Sequence, residues 1–144
     1  INPKMWFTTE VTYSSGGSSS DPTETKLKVT RGVIHTIRAT FPDGCNMLVK
    51  TAVYIGSHPI VPSTVGQWFA GNGETKEYRE HYELKSDTNI LTIKGFNTDD
   101  TYDHTIYFEV GILPKAVLLP YVITEGILNL LKTFVLWGYK KKKG

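Results

Sequence analysis

Apolar and polar residues alternate over most of the first 114 residues, and this pattern predicts β-strands. In HTIYFEVGIL, every second residue is apolar, as in a strand with one buried face. NMLVKTAVYIG repeats the pattern. KEYREHYEL alternates aromatic with charged residues, which indicates a strand with one face in water. The body of the chain is therefore expected to be a β domain.

Turn signals recur near every ten residues and divide these strands. PDG at 42–44, SDTN at 86–89 and NTDDTYD at 97–103 are rich in the residues that favour reversals. We therefore predict a mainly β fold, an antiparallel β-sandwich of jelly-roll or Greek-key type with about eight strands, followed by one C-terminal hydrophobic α-helix. The long Gly/Pro-rich connection at 56–75 favours such wiring over a simple meander.

The composition divides the chain into two parts. Residues 1–114 are expected to form the sandwich domain, with a flexible Ser/Gly loop at 14–23, and residues 115–144 a hydrophobic helix with a basic tail. A chain of 144 residues can bury a core without disulfides or metals, so we expect no cofactor.

The C-terminal part has helical rather than strand periodicity. A helix over 120–137 would be about 27 Å long, close to the thickness of a hydrocarbon core of about 30 Å. Its polar residues fall on one narrow stripe, because steps of three and four residues return to the same side. The residues assigned to an assembly or membrane helix are Glu125, Ile127, Leu128, Asn129, Leu131, Lys132, Phe134 and Val135.

Three interpretations of this helix are open: self-association, membrane contact through 116–139, and packing on the domain's own core. Apolar side chains would favour insertion of a single span by about 4 to 7 kcal/mol. Glu125 and Lys132 would each oppose it by about 3 kcal/mol, so the sum is near zero. Association of several copies, with polar groups meeting inside a bundle, explains the stripe best.

The charge is small and unevenly distributed. The formal net charge is +2, and four lysines at 140–143 leave the preceding residues slightly negative. A nucleic-acid-binding domain usually carries a much larger cluster of Lys and Arg. We therefore expect no nucleic-acid partner for the body.

Two groups of residues suggest ligand chemistry. Asn97, Asp99, Asp100 and Asp103 offer oxygen ligands for a weak calcium site, although the same residue types also favour turns. Trp68 and Phe69 lie in the long connection, where exposed aromatic rings could contact a carbohydrate or a protein. The four histidines and the single cysteine show no spacing typical of zinc sites.

No local signature of nucleophilic catalysis or phosphate binding occurs, so we predict no catalytic residues and no enzyme. The leading hypothesis is a structural subunit of a homo-oligomeric assembly, a virion capsid or spike-like protein or a surface component. Its partners would be copies of itself and, in addition, other structural proteins of the same assembly. The alternative is a membrane-tethered β-sandwich that binds carbohydrate or protein through its loop aromatics. Both hypotheses predict that the protein is located in a virion or at a cell surface.

Overall fold

The computed structural model of the protein describes residues 5–115 and 126–133. The first range contains six strands, and residues 126–133 form a helix, here called α1. The strands are β1 (Met5–Tyr13), β2 (Thr23–Phe41), β3 (Val49–Ile55), β4 (His58–Val61), β5 (Glu74–Asn97) and β6 (His104–Leu113).

All six strands belong to one antiparallel sheet in the order β1-β6-β2-β5-β3-β4. Two strands, β2 and β5, are about twice as long as the others, and each contributes to two layers. Residues 32–41 of β2 (β2b) and 74–84 of β5 (β5a) join β1 and β6 in sheet A. Residues 23–30 of β2 (β2a) and 88–97 of β5 (β5b) join β3 and β4 in sheet B.

Counting each half of the long strands separately gives eight segments, four in each sheet. Numbered along the chain, the segments have the order 1-8-3-6 in sheet A and 2-7-4-5 in sheet B. This is the connectivity of an eight-stranded jelly roll, in which two Greek keys build a sandwich. The predicted fold class is thereby confirmed.

The transition from β2a to β2b lies at Gly32. The pairing register of β2 with β5 shifts between Thr30 and Gly32, which marks a β-bulge. Gly32 has a φ of 150°, and a Cβ there would lie 2.6 Å from Ile112 Cγ2 and 2.7 Å from the carbonyl oxygen of Leu113. Glycine meets both demands, because it lacks a Cβ and tolerates positive φ.

β5 bends beside this point without a break. We predicted that SDTN at 86–89 reverses the chain, and this prediction is wrong, because β5 continues through these residues to Asn97. The paired strand β2 bends in the same place, and the two strands stay hydrogen-bonded on both sides of the bend. Polar residues here mark an exposed corner of the sheet instead of its end.

The core lies between the two sheets. Ile106, Phe108, Val110 and Ile112 point inward from β6 and are buried, as their alternation predicted. Tyr13 reaches across from sheet A. Its ring packs over Gly95 of β5b, where a Cβ would come within 2.6 Å of the phenol carbons, and its hydroxyl lies 3.4 Å from Thr51 Oγ1. Burial raises the pKa of Tyr13 to about 12.

Candidate functional site

Four loops meet at one end of the sandwich, here called the loop end: 14–22, 42–48, 62–73 and 98–103. The backbone N–H groups of Gly16 and Gly17 donate to the carbonyl oxygens of Asp99 and Asn97, at 2.7 Å in both cases. The third and second loops are also joined, since Asn72 Oδ1 accepts from the backbone N–H of Gly44 at 3.0 Å. The backbone N–H of Thr98 donates to the carbonyl oxygen of Leu48 at 2.9 Å and joins the two pairs of loops, so the loop end is a connected unit.

Asn97 is the centre of this unit. Its side chain is fully buried, and Nδ2 donates to the carbonyl oxygens of Tyr13 at 3.1 Å and Tyr102 at 2.8 Å. Its Oδ1 accepts from the backbone N–H of Asp99 at 2.9 Å. One amide thus ties the end of β1 to the 98–103 loop.

Asp99 organises the same loop through its carboxylate. Oδ1 accepts from the backbone N–H groups of Thr101 at 2.9 Å and Tyr102 at 3.2 Å, and Oδ2 lies 2.9 Å from His104 Nε2. The Thr101 N–H, followed by the His104 ring and the Tyr102 N–H, holds the pKa of the Asp99 carboxyl below its usual range.

The oxygen atoms of the calcium candidate are directed to different partners. Asp100 Oδ1 accepts from Thr101 Oγ1 at 2.9 Å, and Asp103 Oδ1 accepts from the backbone N–H of Ser15 at 2.8 Å. Among residues 5–115 and 126–133, no group of three or more His, Cys, Asp or Glu side chains could hold a metal ion. The contacts described here are those of turn-forming residues.

Replacing Asp99 with asparagine is expected to destabilise the protein at neutral pH and much less in acid. The folded state lowers the pKa of Asp99 below its ordinary value of 3.8, so its stabilisation is present above about pH 4. That stabilisation disappears as the pH falls through the lowered pKa. Thermal unfolding of both proteins between pH 2 and 7 measures this, and the difference in Tm should shrink below about pH 4.

Asp87→Asn is the control for this pH series. The Asp87 side chain is 92% exposed and makes one ion pair, with Arg31 at 3.3 Å. We expect a small difference in Tm at every pH, since exposed pairs contribute little. A constant difference between Asp99→Asn and the unsubstituted protein down to pH 2 would show that the carboxylate charge is not the cause.

The two candidate ligand aromatics lie in different surroundings. Phe69 is buried, with its ring edge-on to Phe41 at 6.0 Å and Tyr78 at 5.2 Å, and so contributes to the core. Trp68 is partly buried and packs edge-on against Phe96 at 5.0 Å on sheet B. Of the two rings, Trp68 has the larger accessible surface.

The sequence analysis missed a cluster on the outer face of sheet A. Arg38 lies over the ring of Trp6, 4.7 Å from its centroid, and Nε of Arg38 donates to Glu77 Oε1 at 2.7 Å. Gly111 makes room for the Trp6 ring and the neighbouring ring of His35. Trp6 lies on the outer face of β1, and its partners come from strands distant in sequence.

The single cysteine has no exposed surface. Burial, and to a smaller extent the charge of Asp99, raises the pKa of the Cys45 thiol. A raised pKa keeps the sulfur protonated, whereas nucleophilic cysteines are thiolates in accessible, electropositive surroundings. The surroundings of Cys45 are thus those of a core residue.

Helix α1 exposes its apolar side chains. Ile127, Leu128, Leu130 and Leu131 are between 46% and 57% exposed. At about 100° per residue they cover one side of the helix, and Asn129 and Lys132 lie on the other. Three further residues assigned to this helix, Glu125, Phe134 and Val135, lie outside the described residues, as does most of 116–139.

No described helix, in 5–115 or 126–133, is long and apolar enough to cross a membrane.

Comparison of the sequence with known proteins identifies no relative. No protein-family model matches the chain, and no curated protein is similar to it in sequence.

Solved structures show similarity of fold. A chain of the cyanophage Pam1 capsid asymmetric unit has a TM-score of 0.54 at 13% identity, covering 77% of this chain and 84% of that one. For a chain of the acidic stable capsid of Helicobacter pylori bacteriophage KHP30, the TM-score is 0.48 at 10% identity, covering 78% and 90%. A Bacillus endospore appendage chain gives 0.40 at 9% identity, covering 77% and 88%. The Pam1 likeness agrees with the jelly-roll topology.

Proposed function

We propose that the protein is a non-enzymatic structural subunit of a homo-oligomeric assembly, a capsid or spike-like component of a virion. In this proposal the sandwich faces outward and α1 joins copies of the chain. The observation that carries it is the exposure of Ile127, Leu128, Leu130 and Leu131 along one side of α1. An exposed cluster of apolar side chains usually marks an interaction site.

The energy available from this surface suits association of several copies. Burying the remaining exposed half of four Leu or Ile side chains is worth about 4 kcal/mol per chain. A bundle of helices gathers this contribution from every copy. Asn129 and Lys132 on the other side of α1 are exposed and stay in water in this arrangement, outside the contact between helices.

The fold supports a structural role. The jelly-roll topology is similar to that of a chain in the Pam1 capsid asymmetric unit, and jelly rolls occur in viral capsid proteins. This likeness of fold is what supports a structural building block.

The double variant Ile127→Lys with Leu131→Lys tests the proposal. Both residues lie on the apolar side of α1, so two added charges should prevent helix association. We expect the unsubstituted chain, of 16.2 kDa, to form oligomers and the variant to have a clearly lower molar mass by light scattering coupled to size exclusion.

The matched control places the same charges on the other side of the helix. Asn129→Lys with Thr133→Lys has the same spacing, and its oligomers should persist. An unsubstituted chain that stays monomeric at every concentration would contradict the proposal, and equal dissociation of both double variants would contradict the role of the apolar side.

A further inference from the structure

The jelly roll has four edge strands, and three of them carry features that discourage pairing with another chain. The edges are β1 and β5a in sheet A, and β2a and β4 in sheet B. Of the eleven residues of β5a six are Asp, Glu, Lys or Arg, and of the eight residues of β2a three are charged. β4 has only four residues and contains Pro59. Charges, proline and shortness are the usual protection of edges.

β1 lacks this protection. Its nine residues, MWFTTEVTY, contain one charge, Glu10, and are otherwise aromatic, apolar or threonine. Such residues favour strand pairing. Within the described part of the chain, β1 pairs with β6 on one side and is the last strand of the sheet on the other.

The inner side chains of β1 become less buried toward its N-terminal end. Tyr13 and Val11 are buried, whereas Phe7 and Met5 are only partly buried against the core. Phe7 also lines a groove of about 310 Å³ between the two sheets, together with residues of β2a and β5. The core is thus incompletely covered along this edge.

We infer that β1 is a second self-association surface, on which β1 of another copy pairs antiparallel across a two-fold axis. Full overlap of the two nine-residue strands puts the axis at Thr9. In this register Glu10 faces Thr8 of the other copy, so no like charges are directly opposed. Phe7 faces Val11 of the other copy, which continues the apolar inner row. The contact is isologous and joins two copies of sheet A into one sheet of eight strands.

This inference rests on the proposed structural function but uses a contact separate from α1. A subunit with two independent self-contacts can extend an assembly beyond a single closed bundle. In the Ile127→Lys, Leu131→Lys chain, the β1 contact is expected to leave a dimer instead of a monomer. That chain is the background for the test.

Two substitutions of Thr8 have opposite expected effects. The side chain of Thr8 is exposed on the outer face. Thr8→Glu places a carboxylate opposite Glu10 of the other copy at two symmetric positions, and the dimer dissociation constant should rise about tenfold. Thr8→Lys places an ammonium group there, and the constant should stay the same or fall. Sedimentation velocity over a range of concentrations measures it.

Thr105→Glu is the control, because Thr105 lies exposed on the same face but on β6, one strand in from the edge. Thermal unfolding of each variant checks the fold, since Thr8 also neighbours Glu109 within the chain. Dissociation by Thr8→Glu alone supports the inference. Equal dimer dissociation constants for Thr8→Glu and Thr8→Lys, or a monomeric background chain, overturn the inference. The proposed function still stands in either case if the double substitution in α1 lowers the molar mass of the oligomer.

Discussion

Replacing Gly32 with alanine is expected to lower the free energy of unfolding by about 4 kcal/mol. A non-glycine residue at positive φ costs about 1 to 3 kcal/mol, and forcing extra atoms into a packed site costs about 1 to 3 kcal/mol more. The added Cβ meets the backbone of Leu113 as well as the side chain of Ile112. Backbone cannot rotate away as a flexible side chain can. Chemical denaturation with urea measures the change.

Gly66→Ala separates the two contributions. Gly66 has a φ of 78°, and a Cβ there would meet nothing within 4 Å. This control carries the conformational cost without the steric one, so we expect a loss of about 1 to 2 kcal/mol. If both variants lost the same free energy, the close approach of β2 to the end of β6 would have no energetic weight.

Replacing Asn97 with alanine is expected to cost about 3 to 5 kcal/mol. The change removes the amide partner of the Tyr13 and Tyr102 carbonyl oxygens and of the Asp99 backbone N–H, and each such group costs about 1 to 3 kcal/mol when it is buried. Water can enter a loosened loop end and recover part of this loss. We therefore expect faster amide hydrogen exchange in 98–103 together with the lower stability.

Asn89→Ala is the comparison for this variant. The amide of Asn89 makes one exposed hydrogen bond, to the carbonyl oxygen of Ser86 at 2.7 Å, so its loss should cost less than about 1 kcal/mol. Unchanged exchange in 98–103 of Asn97→Ala would mean that the loop is held by Asp99 and its partners alone.

Local patterns predicted the strands well, because alternation depends only on neighbouring residues. β3 and β6 begin and end close to the expected positions, and the inner face of β6 is as predicted. Continuity of β2 and β5 could not be predicted. A polar, turn-like stretch such as 86–89 stays in a strand when a partner strand bends with it, and that partner is distant in sequence.

In the candidate functional site, too, local features could be predicted and contacts between distant residues could not. The sequence indicated that Asp99 and its neighbours form a turn or bind an ion, but the pairing of Asp99 with His104 depends on the loop's conformation. The edge-on packing of Phe69 in the core depends on Phe41 and Tyr78, which only the sandwich brings together. The apolar side of α1 was readable from helical periodicity alone, and its exposure required the structure.

The sandwich also has two distinct poles. β1 begins where β6 ends, with Met5 paired to Ile112, so the described chain enters and leaves the domain at the pole opposite the loop end. In the 14–22 loop, the backbone hydrogen bonds of Ser15, Gly16 and Gly17 fix the first part of the loop to residues 97–103. A peptide grafted after Ser18 would therefore be displayed at the opposite pole from Met5 and Leu113, which makes this loop a rational insertion point for presenting epitopes.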